Sequence, residues 1–228
     1  MIKNISNLGD ASIYCDFGQD VNQKINSNVV SYFNHIKELV KNNEIKGITN
    51  ITPSYNKLIV SFDLEITTYN EVKQIIENFK IKKNIIQNPK KIKIPICCDQ
   101  EYALDLTSLS NKLNITENEI LETHLNKEYF CYMTGFIAGM PFLGDIDKKL
   151  RTHRLETPRV KVPKGSVGIT EQFCNIYTYE SPGGWNIIGN TPKNIFNKLT
   201  FDKPLLINPG DKVSFYKITK QEYLNWNE

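Results

Sequence analysis

Residues 135–189 read GFIAGMPFLGDIDKKLRTHRLETPRVKVPKGSVGITEQFCNIYTYESPGGWNIIG. Eight of the chain's twelve glycines fall in this stretch, where an even spread would place about three. Short strand-like runs alternate here with glycine and proline turns, which is typical of a β-barrel or sandwich. The stretch therefore predicts an antiparallel β-domain, either a barrel or a sandwich.

The same alternation of short runs and turns continues on both sides of this stretch. Strands are predicted at residues 129–134, 159–162, 166–170, 175–179, 185–188, 205–207 and 213–218. Two short helical segments precede these strands, and the second begins at the capping-box sequence TENE of residues 116–119. The C-terminal part of the chain is thus expected to be mainly β.

The N-terminal part has a different pattern, in which strands alternate with amphipathic helices. Its predicted order, β-α-β-β-α-β, is that of a ferredoxin-like unit, although its last strand, at residues 91–96, also fits the next domain. The polar residues 82–91 mark the boundary. We therefore predict an α+β protein with a ferredoxin-like α/β domain at residues 1–88 and a barrel domain at residues 89–228.

Composition narrows the class of protein. The net charge of +3 is too small and too dispersed for a nucleic-acid-binding surface. The chain has neither a signal-peptide pattern nor 18 consecutive apolar residues, so we expect a soluble, cytoplasmic protein without a membrane partner. Five scattered cysteines suggest reduced thiols, and the three histidines lack metal-site spacing, so no metal is expected.

All three arginines, Arg151, Arg154 and Arg159, lie within nine residues, in a chain that otherwise uses lysine. Arginine provides a planar, permanently charged, two-pronged donor, so the cluster suggests a site for carboxylate or phosphate. The alternative is that these arginines staple loops. No phosphate loop, nucleophile elbow or dinucleotide fingerprint is present, which favours part of a shared site over a self-contained enzyme.

Two further segments are candidate walls of this site. Gly135, Phe136 and Gly139 belong to an apolar, glycine-rich loop at residues 135–144 that allows close backbone approach. The second segment is a turn in which backbone N–H groups are predicted to bind an anion, comprising Ser181, Gly183, Gly184 and Trp185. Trp185 is expected either to pack in the core or to cover a ligand.

His124 follows Ile120 and Leu121 by about one helical turn, so it faces whatever structure they pack against. A buried, hydrogen-bonded histidine and a histidine directed toward a site both fit this position. Asp145 and Asp147 are expected to be solvated turn residues.

Four ordered motifs support a family resemblance. They are GFxxGxPFLG at residues 135–144, TPRVxVPxGSVGI at 157–169, IYxxxSPGGWxIIGxTP at 176–192 and PGDxVxF at 209–215. Together with His124, Tyr129 and the Asp105-Leu106 pair, they resemble the family of the 5-oxoprolinase B component, also called KipI or allophanate hydrolase subunit 1. The resemblance covers nearly the whole chain.

This resemblance implies a fold, a reaction and partners. It implies a cyclophilin-like barrel and a subunit that works with the C and A components of 5-oxoprolinase to open 5-oxoproline to glutamate at the expense of ATP. It marks Arg154 and Arg159 as holders of carboxylate or phosphate and His124 as a candidate acid or base. We expect a hetero-oligomeric, ATP-dependent hydrolase that is inactive without its partners.

The chain also departs from the family pattern. Ala138 stands where the family has proline, and Leu155 stands where it has arginine. The usual Gly-Gln-Thr-Gly run is replaced by Gln172, Phe173, Cys174 and Asn175. These changes keep two alternatives open: a regulatory protein that binds the dimerisation region of a sensor histidine kinase, and a subunit that hydrolyses allophanate or other amides.

Overall fold

The computed structural model describes residues 1–80, 89–200 and 203–227. The chain divides into two compact units, Met1–Pro89 and Lys90–Glu228. This division lies one residue from the boundary expected between residues 88 and 89. The polar stretch 82–91, from which that boundary was inferred, falls largely on residues 81–88, outside the described residues.

The first unit is a four-stranded antiparallel sheet with two helices. Its elements are β1 (Asn4–Asn7), β2 (Ser12–Asp16), α1 (Gln23–Lys41), β3 (Ile48–Pro53), β4 (Lys57–Phe62) and α2 (Tyr69–Asn78). Alternate residues of β2 and β4, such as Ile13 and Val60, are buried against apolar residues of the two helices. Asn22 caps α1, and a capping box between Thr68 and Glu71 starts α2.

The strand order of this sheet is β1-β2-β4-β3. The predicted ferredoxin-like unit instead used residues 91–96 as its fourth strand, and those residues pair within the second unit. The edge position beside β2 is occupied by Asn4–Asn7, which the sequence analysis did not assign. Because β1 is short and polar, its sequence lacks the apolar alternation on which strand prediction depends.

The second unit is built on a closed barrel. Its elements are β5 (Lys91–Cys97), α3 (Leu106–Leu113), α4 (Glu117–Leu125), β6 (Glu128–Thr134), β7 (Pro141–Gly144), a 3-10 turn (Lys148–Leu150), β8 (Arg159–Val162), β9 (Ser166–Thr170), β10 (Phe173–Ile176), β11 (Ser181–Gly183), β12 (Asn186–Asn190), β13 (Lys212–Ile218) and α5 (Lys220–Leu224). The barrel order is β10-β7-β6-β13-β5-β12-β9, and β8 and β11 form a separate pair.

The barrel is mixed and not purely antiparallel as predicted, because β13 runs parallel to β5. More than one hundred residues separate these two strands in the chain, so no hairpin dictates their relative direction. Two other predictions need correction. Residues 141–144 are a barrel strand and not a loop, and Leu205 forms only an isolated bridge with Phe196 instead of a strand.

Side chains alternate between two sides of the barrel wall. Inward residues such as Leu143, Ile169 and Ile188 form the main core. Their outward neighbours join a second cluster, hereafter the outer cluster, made of Met140, Val162, Tyr177 and Ile187 with Ile137 and Phe142 packed against them. The barrel therefore has a second buried apolar cluster, which lies beside the predicted site segments.

Candidate functional site

Arg159 is held by an acidic partner from another part of the unit. Its Nη1 donates to Asp105 Oδ2 at 2.9 Å, and its Nη2 donates to Asp105 Oδ1. Asp105 precedes α3 but makes no capping bond to that helix, and its Oδ2 also accepts the Ile187 backbone N–H at 2.7 Å. Both terminal nitrogens of Arg159 thus bond to a protein carboxylate. This is the alternative in which the arginine holds loops together.

Arg154 is placed differently. Its side chain is exposed, and it forms no ion pair with any residue that the structure describes. The positive charges of Arg154 and Arg159 both act on Tyr177 of the outer cluster. Of the two arginines assigned to the site, Arg154 therefore has a guanidinium available to an anionic ligand.

Trp185 packs against the outer cluster. Its ring meets the Phe142 ring edge-to-face with centroids 5.6 Å apart, and only 6% of Trp185 is exposed. This arrangement matches core packing, the first of the two alternatives given for Trp185.

Tyr177 lies in the same cluster and is 1% exposed. Burial raises the pKa of Tyr177 above its usual range. Hydrogen bonds to its hydroxyl from the Asn175 side chain and the Trp185 backbone N–H act in the opposite direction. A side chain at Gly183 would begin 2.2 Å from this hydroxyl, so the close approach of the 181–183 segment requires glycine there.

The apolar loop leads directly into β7. The Gly135 N–H donates to the Met140 carbonyl at 3.0 Å, which closes the loop. Phe136 has a left-handed φ of 69° and is 74% exposed, an unusual conformation for an aromatic residue. Gly139 also has a positive φ and packs on Phe196. The loop thus holds the Phe136 side chain in solvent while Met140 enters the outer cluster.

The turn predicted to bind an anion has another structure. Ser181–Gly183 is strand β11, which pairs with β8. None of residues 181–185 has the left-handed conformation that an anion-binding nest requires, so the predicted nest is not formed. The Gly184 carbonyl accepts the Leu155 N–H at 2.7 Å, and the Ser181 hydroxyl is buried without a hydrogen-bond partner among the described residues.

His124 belongs to the barrel core. The Tyr129 hydroxyl donates to the His124 carbonyl at 2.9 Å, so the His124 Nδ1–H is assigned as the donor to that hydroxyl at 2.7 Å. His124 Nε2 is buried with no partner among the described residues. Complete burial lowers the pKa of His124 to about 3, so the ring is neutral at physiological pH.

The structure separates His124 from the outer cluster. His124 packs against Phe215 of β13, with ring centroids 4.7 Å apart. Strand β13 lies three strands from β10 in one direction around the barrel and four in the other, the greatest separation possible for seven strands. Arg154, Trp185 and the apolar loop are therefore associated with Tyr177, and His124 is not.

Three of the departures from the family pattern, Phe173, Cys174 and Asn175, lie on β10 and point to its two sides. Cys174 points into the core, where burial raises the pKa of its thiol. Phe173 packs edge-to-face on Tyr132 with centroids 5.9 Å apart. Asn175 lies on the same side of the strand as Phe173, because strand residues alternate, and it contacts the outer cluster. An amide group is therefore present on this side of β10, at position 175.

Three residues of this region were not assigned to the site from the sequence: Asp105, Asn175 and Tyr177. Asp105 and Tyr177 lie within the family motifs, which was the available signal. Asp145 and Asp147 have separate structural roles: Asp145 accepts from the Tyr132 hydroxyl at 3.0 Å, and Asp147 caps the Lys149 N–H.

Other classes of site were also sought. Over residues 1–80, 89–200 and 203–227, no group of three or more histidine, cysteine or acidic residues is arranged to hold a metal ion. Within the same ranges, no helix has both the length and the apolar character needed to cross a membrane. All five cysteines are buried free thiols.

Known proteins resemble this chain over most of its length. The family model "Carboxyltransferase domain, subdomain C and D" matches residues 3–207. The 5-oxoprolinase B component of Bacillus subtilis is 30% identical over 236 residues, covering 98% of this chain and 96% of the relative. Urea amidolyase of Saccharomyces cerevisiae is 25% identical over 244 residues, covering 94% of this chain but 13% of that protein.

The fold also matches a solved structure. The crystal structure of TTHA0988 superposes with a TM-score of 0.80 at 24% identity, covering 91% of this chain. The chain spans 40% of the TTHA0988 chain. At this identity the match supports the fold alone. On the family model and the similarity to the Bacillus relative, the chain belongs to the carboxyltransferase-domain family, subdomains C and D, that includes the 5-oxoprolinase B component.

Proposed function

We propose that this chain is the B component of an ATP-dependent 5-oxoprolinase, which opens the lactam ring of 5-oxoproline to give glutamate. The observation that carries the proposal is its 30% identity to the Bacillus 5-oxoprolinase B component over 98% of the chain. Such coverage includes both units, the outer cluster and the arginine segment.

The chemistry sets requirements that these residues meet in part. A lactam is a poor electrophile, so ATP would activate its amide oxygen, and fixed donors would stabilise the negative charge that develops. The exposed Arg154 guanidinium suits a carboxylate or phosphate, because its fork has no ion-pair partner among the described residues. Arg154 is accordingly our choice for the residue that contacts an anionic group of substrate or ATP.

The same residues favour a composite site shared with the C component of the enzyme. The exposed Phe136 ring and Arg154 guanidinium are available to a ligand, whereas His124, the predicted acid or base, is buried and neutral in the core. A proton-transfer group for ring opening would then come from a partner protein. This division of labour agrees with an enzyme that is inactive until its subunits assemble.

Reconstitution tests the proposal. The purified chain is combined with its C-component and A-component counterparts, and glutamate release from 5-oxoproline is followed with and without ATP. We expect release only when all three proteins and ATP are present. Absence of ATP-dependent release from the complete mixture would reject the 5-oxoprolinase assignment.

A second candidate is a subunit that hydrolyses another amide. The similarity to urea amidolyase over 94% of the chain favours it. Adding urea or allophanate to the same reconstituted mixture separates the two candidates, since release of ammonia from these compounds without glutamate release from 5-oxoproline would support the second.

A further inference from the structure

Phe136 combines two features that are unfavourable for an isolated protein. Its φ of 69° lies in the left-handed region, and its ring is 74% exposed. Asparagine and aspartate tolerate this backbone conformation better than other side chains do, and they occupy three of the four other such non-glycine positions among the described residues, Asn43, Asn114 and Asp145. Neither packing nor backbone geometry within the unit therefore explains a phenylalanine at position 136.

The loop that carries Phe136 is fixed in place. The Gly135 N–H donates to the Met140 carbonyl at 3.0 Å, which closes the loop. The Thr178 hydroxyl donates to the Ala138 carbonyl at 2.7 Å, which ties the loop to the segment before β11. The exposed ring is thus presented by an ordered loop, and an ordered contact residue loses little conformational entropy when it binds a partner.

A β-bulge exposes Val160 on strand β8. The pairing register of β8 with β11 shifts between Ser181 and Gly183, so Val160 and Lys161 lie opposite a single residue of β11. Val160 is 80% exposed. A bulge changes the direction of side chains, and here a β-branched apolar residue points toward solvent.

The segment before β11 joins the loop to β8. Its Thr178 hydroxyl bonds to the loop, and its Glu180 carboxylate forms an ion pair with Lys161 of β8 at 3.1 Å. Tyr179 lies between these two contacts in the chain and is 41% exposed. The loop, this segment and β8 are therefore neighbours on the surface of the second unit.

The exposed residues Phe136, Tyr179 and Val160 of these three segments are hereafter called the apolar rim. Each of them is within two positions of a residue that belongs to the outer cluster or packs against it, namely Ile137, Tyr177 and Val162. Single exposed apolar side chains are common on protein surfaces, but a group of them around one cluster marks an interaction surface. Aromatic residues at the centre of such surfaces contribute most of the binding free energy.

The relatives indicate what kind of partner covers the apolar rim. The family model describes subdomains C and D of a carboxyltransferase domain, and the matched fold makes up 40% of the TTHA0988 chain and 13% of yeast urea amidolyase. In those two proteins, further protein is joined to this fold in the same chain. The Bacillus relative, which is matched over 96% of its length, is instead a subunit of 5-oxoprolinase, and a subunit needs a surface for assembly.

We propose that the apolar rim binds an apolar face of the C component of 5-oxoprolinase. The inference rests on the proposed function and adds to it the surface through which the two proteins assemble. The Phe136 ring enters a pocket of the partner, and Val160 and Tyr179 pack around it.

Calorimetric titration of this chain with its C-component counterpart, without substrate or ATP, tests the proposal. The rim variants are Phe136→Asn, which suits the left-handed backbone, and Val160→Gln. We expect each of them to raise the Kd for the partner at least about tenfold, because each removes an apolar contact from the interface.

The matched control is Leu224→Asn, at a leucine that is 66% exposed. Leu224 lies on α5, which follows β13, the barrel strand farthest from β10. We expect this variant to bind the partner with the wild-type Kd.

Stability of the isolated chain provides a second readout. Phe136→Asn is expected to keep or raise the melting temperature, since asparagine adopts a left-handed φ more readily than phenylalanine does. A lower melting temperature would show that the ring supports the fold of the isolated chain and would count against a role in assembly.

Several outcomes would overturn the inference: no binding of the partner by the wild-type chain, wild-type affinity in either rim variant, or equal weakening by the control. If the reconstituted wild-type mixture nevertheless releases glutamate, these outcomes reject only the docking surface and retain the proposed function. Weaker binding by both rim variants alone, in a system whose wild-type mixture releases no glutamate, would retain the surface and reject the reaction.

Discussion

At the scale of single residues, His124 couples the stability of the barrel to pH. Its folded-state pKa of about 3 lies below the ordinary value of 6.5, so the unfolded chain binds a proton that the folded chain does not. The stability it confers is complete above pH 6.5 and is lost as the pH falls toward 3, by about 1.4 kcal/mol per pH unit.

This dependence is checked by urea unfolding between pH 6.5 and 4.5. We expect the wild-type free energy of unfolding to fall by about 2–3 kcal/mol more than that of His124→Gln, whose side chain cannot take up the proton. The control is His153→Gln at an exposed position, which should follow wild type. Parallel curves for wild type and His124→Gln would show that His124 does not cause the dependence.

A substitution at Arg154 is expected to lower activity without lowering stability. Arg154→Lys retains the charge but removes the two-pronged donor, so we expect about tenfold to hundredfold lower glutamate release by the reconstituted enzyme. Because Arg154 is exposed and unpaired among the described residues, the free energy of unfolding of the variant should differ from wild type by less than about 0.5 kcal/mol.

The matched control is Arg151→Lys, at an exposed arginine nearby, and it should retain activity. Equal activity in the Arg154 and Arg151 variants would remove Arg154 from the site.

At the scale of structural elements, the Asp105–Arg159 pair joins the start of α3 to β8 and β12. Asp105 is buried whereas Arg159 is 28% exposed, so Arg159→Ala leaves a buried carboxylate without its charged partner and is expected to lower the free energy of unfolding by about 1–3 kcal/mol. Chemical denaturation measures this loss. The double variant with Asp105→Ala should lose less than the sum of the single losses, and strict additivity would argue against the pair.

Strand β7 depends on a glycine at its end. A Cβ at Gly144 would lie 2.1 Å from the ring of Tyr132, so Gly144→Ala is expected to cost about 1–3 kcal/mol of stability. Gly184→Ala is the control, since the nearest atom to its Cβ would be 3.5 Å away, at ordinary contact distance. Thermal unfolding of both variants tests this explanation. We expect a lower melting temperature for Gly144→Ala, and equal melting temperatures would contradict the steric explanation.

At the scale of the whole molecule, the proposed function implies that the chain forms one side of a site that a partner protein completes. We therefore predict that it co-elutes with its C-component counterpart in size-exclusion chromatography, and that Arg154→Lys co-elutes equally well while losing activity. Separate elution of the two wild-type proteins would argue against the composite site. The alternative role in binding a histidine kinase stays a prediction.

Local patterns predicted much of the fold. The alternation in residues 159–162 and 166–170 matches β8 and β9, and the capping box between Thr116 and Glu119 begins α4 as expected. These features depend on residues a few positions apart, which the sequence displays directly. The strand β7 was missed, because glycine and proline made it resemble a loop.

The candidate site was less predictable, because its contacts join residues that are far apart in the sequence. Asp105 and Arg159 lie 54 positions apart, so nothing local in the sequence shows that the arginine is already paired. Burial of His124 likewise depends on Phe215, which is distant in the chain and reaches His124 only when the barrel closes.

The sequence by itself determined the two-part α+β organisation, the family and the segments proposed for the site, because these depend on composition, periodicity and ordered motifs. Tertiary structure alone decided that β13 runs parallel to β5, that Arg159 is a staple and Arg154 an exposed cation, and that His124 is a neutral core residue. Strand direction, ion pairing and burial are set by contacts between residues distant in the chain, and those contacts exist only in the folded protein.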